Sequence, residues 1–317
     1  EKNYFMMDNN SEKKRGYMLL IGVDNFKAVN EKYGVKTGDE VLADIAGCII
    51  QCVGDTKSVY RLSGDEFAIL MTRQGTDEEI VDKAKLLYKY IRVRVDNMIK
   101  ERNYNIFYTI SGGADIFESG RDSFDSVIQN ARFALHEAKL KGRNTFVAYS
   151  KEQYETYIHK MDIQEHLRSS IINGFNGFEV YYQPIYWNKE ERYITLEALS
   201  RLRHPNMGMI PPDVFIGIAE KQGMIAQVGL LQFRRVCRFV KEHEYLMKTL
   251  KNVKFNLSPS ELLKTGHIQL LINMIREYGL SPRYFQFEIT ETVATEYSES
   301  FCQAVEDFQK AGIGLCL

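Results

Sequence analysis

A chain of 317 residues, 44% hydrophobic and 26% charged, is long and apolar enough to bury a core in each of two domains. Its formal net charge of -1 excludes bulk attraction to nucleic acid or to an anionic membrane, so an anionic ligand must be held by local groups. The odd set Cys48, Cys52, Cys237, Cys302 and Cys316 contains no CxxC pair and argues against a disulfide framework. Cys48 and Cys52 lie four apart in a helical pattern, where buried thiols are favoured over a metal or redox pair, and a reducing cytoplasm is the expected location.

The apolar run at residues 17–21 predicts a central strand, and even residues 17–23 are too few to span a bilayer. From Gly38 a helix follows, with Val41, Leu42, Ile45, Ala46 and Ile49 on one face. Strands are predicted at 59–62 and 67–71, joined by the turn Ser63-Gly64-Asp65-Glu66. A helix over 78–100, a strand over 106–114, a helix over 123–141 closed by Gly142, and a strand over 145–148 complete an α+β sheet domain. Residues 149–160 are polar, tyrosine-rich and free of Gly and Pro, which predicts a helical linker. Beyond it, strand-like runs stand at 180–182, 194–199, 253–257, 285–289 and 313–317. The last three recur about every 30 residues, the length of a βα unit, and predict a (β/α) barrel or an open parallel sheet.

Taken alone, Ser63-Gly64-Asp65-Glu66-Phe67 is an ordinary acidic hairpin, though one of its two carboxylates is placed to hold a hard cation. Around it stand Asp24-Asn25-Phe26-Lys27 with Asn30, then Thr37-Gly38-Asp39-Glu40, and later Ala138-Lys139 with Gly142-Arg143-Asn144. With these motifs in order, the first half resembles the GGDEF (diguanylate cyclase) family, whose facing domains join two GTP molecules into cyclic di-GMP. The resemblance implies that Asn30 and Asp39 bind guanine, that Lys27, Lys139 and Arg143 contact phosphates, and that Asp65 is a metal ligand. Two departures stand out. Gly22 occupies the position of the family's other metal-binding Asp, and the inhibitory Arg-x-x-Asp is absent at residues 54–57. Phosphoryl transfer needs metal ions to neutralise the phosphates, so the domain is expected to bind GTP without cyclising it.

In the second half, Glu197, Asn256 and Glu288 each lie in or near the end of a predicted strand. A barrel gathers such ends at one face, where three oxygen donors suit Mg²⁺ or Mn²⁺, while each residue alone could simply cap a strand. Gln183-Pro184, Glu197-Ala198-Leu199 with Arg201, Asn256-Leu257-Ser258 and Glu288 with Glu291 together resemble the EAL family of cyclic-di-GMP phosphodiesterases, modified TIM barrels that open cyclic di-GMP to pGpG. The resemblance implies metal ligation by Glu197, Asn256 and Glu288, substrate contacts from Gln183 and Arg201, and a loop-anchoring role for Glu291 beside the metal site.

The expected organisation is a GGDEF-type domain over 1–148, a helical linker over 149–160 and, over 161–317, the N-terminal part of an incomplete EAL-type TIM-like barrel. The family's later acidic motifs would follow Leu317, so the 317 residues by themselves are expected to be inactive as a phosphodiesterase. A sensor or membrane domain ahead of Glu1 is compatible with a chain that starts without Met. His136 and His204 have no partner at metal spacing and are assigned packing or solvated roles, and Arg234, Arg235 and Arg238 a solvated helix face. Three functions stay open: a phosphodiesterase regulated by a non-cyclising GGDEF domain, a cyclic-di-GMP or GTP receptor, and a cyclase that tolerates Gly22. The retained ligand set favours the first, and a homodimer is expected.

Overall fold

The apolar run at the start of the sequence forms β1 (Arg15–Val23), a strand whose last eight residues are all buried. The computed structural model describes residues 14–101, 108–289 and 299–316, and the chain divides into two units after Tyr157. β1 pairs antiparallel with β3 (Glu66–Thr72) on one side and β4 (Ile110–Glu118) on the other. β2 (Val59–Ser63) and β5 (Phe146–Ala148) extend the sheet to the order β2-β3-β1-β4-β5. Alternation along β1 sends Leu19, Ile21 and Val23 into a core with α1 (Phe26–Tyr33), α2 (Val35–Val53) and α3 (Asp77–Glu101). Met18 and Leu20 point the other way, to Val127, Ala131 and Leu135 of α4 (Phe124–Leu140). Ser123 caps α4 by accepting from the Ser126 backbone N–H at 3.1 Å.

β4 runs four residues further than the strand expected at 106–114, and residues 102–107 lie outside the described set. Gly112 and Gly113 do not end the strand but sit mid-way along it. A Cβ on Gly112 would stand 2.6 Å from the Tyr88 ring, and one on Gly113 2.0 Å from the Leu135 backbone nitrogen. The glycines admit close approach by α3 and α4.

The helix expected over 149–160 starts at Lys151 and continues to Ile172 as α5. Its tyrosines pack on α4, with the Phe133 ring centre 5.1 Å from that of Tyr154 and 5.3 Å from that of Tyr157, and Tyr149, just ahead of the helix, joins them at 6.2 Å.

In the second unit β6 (Phe178–Trp187) and β7 (Arg192–His204) are antiparallel, and β8 (Gly208–Ile210) pairs with β7. β7, β9 (Asn252–Leu257), β10 (Phe285–Ile289) and β11 (Gly314–Cys316) are successive parallel neighbours. The connections carry α6 (Pro212–Lys221), α7 (Ile225–Glu242), α8 (Pro259–Leu262), α9 (His267–Glu277) and α10 (Glu299–Ala311). Ala198, Phe255, Leu257, Phe287 and Ile289 bury one sheet face against Phe233 of α7, Leu271 of α9 and Phe308 of α10.

Of the arginines expected on a solvated face of α7, Arg234 and Arg238 are exposed, but Arg235 is half-buried and donates to the Phe178 carbonyl. Burial lowers its pKa, with the neighbouring Arg238 adding to the effect. His204 is buried at the end of β7, where Nδ1 accepts from the Asn206 and Met207 backbone N–H groups of the following turn at 3.2 Å each. Burial pushes the Cys48 thiol to about 11 and also raises Cys52, which fits core thiols rather than a reactive pair.

Candidate functional site

Because the side chains of β7, β9 and β10 alternate, packing the even residues of β7 and the odd residues of β9 and β10 against helices commits the remaining residues to the opposite face. That face carries Glu197, Lys254, Asn256 and Glu288. The parallel register sets Asn256 level with Glu288, and Glu197 level with Lys254, one pleat below Asn256. Asn256 Nδ2 donates to Glu197 Oε1 at 3.0 Å. Gln183 on β6 lies directly opposite Glu197. Arg201, two pleats further along β7, places its guanidinium 5.5 Å from the centre of the Tyr181 ring and donates to the Ser200 carbonyl. Beside these strands a cleft of about 290 Å³ is lined by Leu199, Arg201, Asn256, Ser258 and Glu220. Five expected residues, Gln183, Glu197, Arg201, Asn256 and Glu288, therefore share one face of adjacent strands. Glu291 lies outside the described residues.

Among the described residues no three His, Cys, Asp or Glu side chains form a metal-holding group. Glu197, Asn256 and Glu288 instead offer two carboxylates and one amide oxygen, all hard donors. This is the donor chemistry of Mg²⁺ or Mn²⁺, whose remaining positions are ordinarily filled by water and phosphate oxygens. The set fits such an ion.

One residue of this face has no counterpart among the sequence-derived candidates. Lys254 Nζ stands 3.4 Å from Glu288 Oε2, between two carboxylate-bearing strands. Its signal was the strand period itself, since Lys254 is two residues before Asn256. Below it a polar row runs from Thr195 through Asn252 to Gln286, with hydrogen bonds of 3.0 Å each.

The first unit places its candidates differently. Asp65 follows Gly64, which takes the left-handed conformation at φ 54°. Its Oδ2 is 3.4 Å from Lys139 Nζ, and Glu66 pairs with Arg132 at 3.3 Å. Gly22 lies next to the Lys139 side chain: a Cβ there would meet Cε and Nζ at 3.0 Å each. Asp24 is buried and accepts from Thr109 Oγ1 at 2.6 Å, Ser111 Oγ at 2.8 Å and the Asn144 backbone N–H at 3.1 Å. The last bond holds a loop in which Gly142, Arg143 and Asn144 all have positive φ, at 106°, 63° and 47°. Arg143 is exposed on that loop. Asn30 packs over Gly38, where a Cβ would meet its Oδ1 at 1.9 Å, which accounts for the glycine next to Asp39. Lys27 and Asp39 are exposed, and Lys27 is 3.4 Å from Glu31. Lys139 and Asp65 are thus brought together, whereas no contact joins Lys27, Asn30 and Asp39 to them among the described interactions.

Residues 4–145 match the family model described as "Diguanylate cyclase, GGDEF domain" and residues 164–317 that described as "EAL domain". The chain is 26% identical over 300 residues to the "Cyclic di-GMP phosphodiesterase NbdA" of Pseudomonas aeruginosa, covering 95% of this chain and 37% of that protein. It is 28% identical over 308 residues to the "Biofilm architecture maintenance protein MbaA" of Vibrio cholerae, covering 95% and 38%. The chain thus spans well under half the length of these curated relatives. A solved structure, "Vibrio cholerae LapD S helix-GGDEF-EAL (bound to c-di-GMP)", covers 95% of this chain and 69% of that one at 16% identity and a TM-score of 0.41. The two family matches lie in sequence over the two structural units, and the chain belongs to the proteins that carry a GGDEF domain followed by an EAL domain.

Proposed function

We propose that the second unit is the substrate-binding part of a metal-dependent cyclic-di-GMP phosphodiesterase, and that the first is a GTP-binding regulator that does not cyclise. The observation that carries this is the alignment of Glu197, Asn256 and Glu288 on adjacent parallel strands, with Gln183 and Arg201 on the same face. Arg201 presents a fixed guanidinium suited to a phosphodiester oxygen. Gln183 offers an amide on the strand next to Glu197. Glu197, Asn256 and Glu288 would hold Mg²⁺ or Mn²⁺, with Glu291 anchoring the loop beside them. A metal bound there would supply charge neutralisation of the phosphate and a lowered pKa for the attacking water. Water adds to one phosphodiester, the P–O3′ bond breaks, and the leaving oxygen takes a proton to give pGpG.

The same reading sets the domain limits at 1–148 and 161–317 with a helical linker over 149–160, and expects a cytoplasmic homodimer. Gly22 and the saturated Asp24 weigh against cyclase activity in the first unit. A second reading, a receptor without turnover, is favoured by one observation: the Lys254 ammonium already pairs with Glu288.

Glu197→Ala in the full-length protein tests the assignment. Loss of one metal ligand should lower pGpG release at least about 100-fold, since even residues outside the ligand shell are commonly worth 10–100-fold. Unchanged release would remove Glu197 from the site.

A further inference from the structure

The first unit offers an arrangement that the loss of a carboxylate at position 22 does not by itself imply. Three observations converge on one spot beside β1. Gly22 opens a space, and the Lys139 side chain fills it, with Nζ 3.0 Å from where a Cβ would be. The same ammonium lies 3.4 Å from Asp65 Oδ2 on the β2–β3 hairpin. The nearest other carboxylate on β1's exit, Asp24, is buried and committed to Thr109, Ser111 and Asn144. Glu66, directly opposite Gly22 in the sheet, is held by Arg132 at 3.3 Å. A divalent ion at Asp65 would therefore find no second carboxylate that is not already engaged, and a positive charge already in place. Mg²⁺ is held through one or two carboxylates together with substrate phosphates in near-octahedral geometry, and a lysine ammonium is a compact point charge able to take its electrostatic part but not its ligands. The residues present do not fit the metal.

We propose that Lys139 holds the divalent-cation position of the first unit as a built-in monovalent cation, so that this unit takes guanine nucleotide as the metal-free triphosphate. The nucleotide clause rests on the reading of the first unit as a GTP binder, whereas the displacement of the metal does not. Charge neutralisation of the phosphates then falls to Lys139 and to Arg143 on the loop held by Asp24. Because Mg²⁺ in solution ties up free GTP, adding it should leave affinity unchanged or weaken it.

Two measurements on the full-length protein separate the parts. The first counts bound Mn²⁺ by electron paramagnetic resonance in the parent and in Asp65→Asn. Equal counts are expected, and one Mn²⁺ lost with Asp65→Asn would overturn the proposal without reference to any nucleotide. The second is titration with GTP in EDTA and again in excess Mg²⁺. Binding in EDTA at least as tight as in Mg²⁺ is expected, with Lys139→Met weakening it about tenfold or more in both conditions. Binding tightened about tenfold or more by Mg²⁺ would contradict it. No GTP binding in either condition would remove the GTP reading and the nucleotide clause together, while the Mn²⁺ count would still decide whether Lys139 has displaced the metal.

Discussion

Lys254 sets the charge of the second unit's site in the absence of metal. Its ammonium lies 3.4 Å from Glu288 and is half-screened from solvent, so a divalent ion must separate that pair before Glu288 can turn to it. Lys254→Met removes the competing cation, and Mn²⁺ affinity is expected to rise several-fold, up to about tenfold, in a direct titration. An unchanged or weaker affinity would mean that Lys254 helps to hold the site open. Asp115 gives a second residue-scale expectation. Burial raises its pKa to about 6, opposed by hydrogen bonds from Asn130 and the Ile116 backbone. A carboxyl whose folded pKa is raised binds more protons folded than unfolded, so its contribution is fully present below the unfolded value and is lost as pH rises towards 6. Asp115→Asn should therefore gain stability relative to the parent between pH ~4 and ~7, by about 3 kcal/mol at most. Urea midpoints compared at those two pH values check it, and a difference that does not grow with pH would refute the assignment.

At the scale of elements, Phe233 of α7 ties two strands, β9 and β10, together. It is fully buried, with ring centres 5.3 Å from Phe255, 5.4 Å from Phe285 and 5.1 Å from Phe287. Phe233→Ala should cost about 3–5 kcal/mol in chemical denaturation, and less than about 1 kcal/mol would show that the helix layer repacks freely. Most of these elements were legible. The periodic helices at α3 and α4 match their expected spans to within about two residues at each end, and β10 matches residue for residue. Helix α1 was not predicted, because it begins at Asn25 in the left-handed region with no side-chain cap, so the usual start signals are missing. Strand β6 continues through Pro184 to Trp187, beyond the expected 180–182. Proline is tolerated there because β6 is the end strand of the described sheet order. The site followed the same division. Glu197, Asn256 and Glu288 were recognisable from motifs. Lys254 and the row Thr195–Asn252–Gln286 belong to no motif and emerge only when the register aligns their strands.

The whole molecule joins two units of opposite character through α5. One keeps the donors a divalent ion needs, Glu197, Asn256 and Glu288. The other has Gly22 and Lys139 where such an ion would be held. Among the described helices none is long and apolar enough to cross a membrane. On the proposed function, this asymmetry places the chemistry in the second unit and nucleotide sensing in the first. The measurement that tests it most directly is release of pGpG from cyclic di-GMP by the full-length protein in Mg²⁺ or Mn²⁺, with and without GTP. Turnover that responds to GTP, with no cyclic di-GMP formed from GTP, is the predicted result. Tight cyclic-di-GMP binding without any release of pGpG, or formation of cyclic di-GMP from GTP, would contradict it.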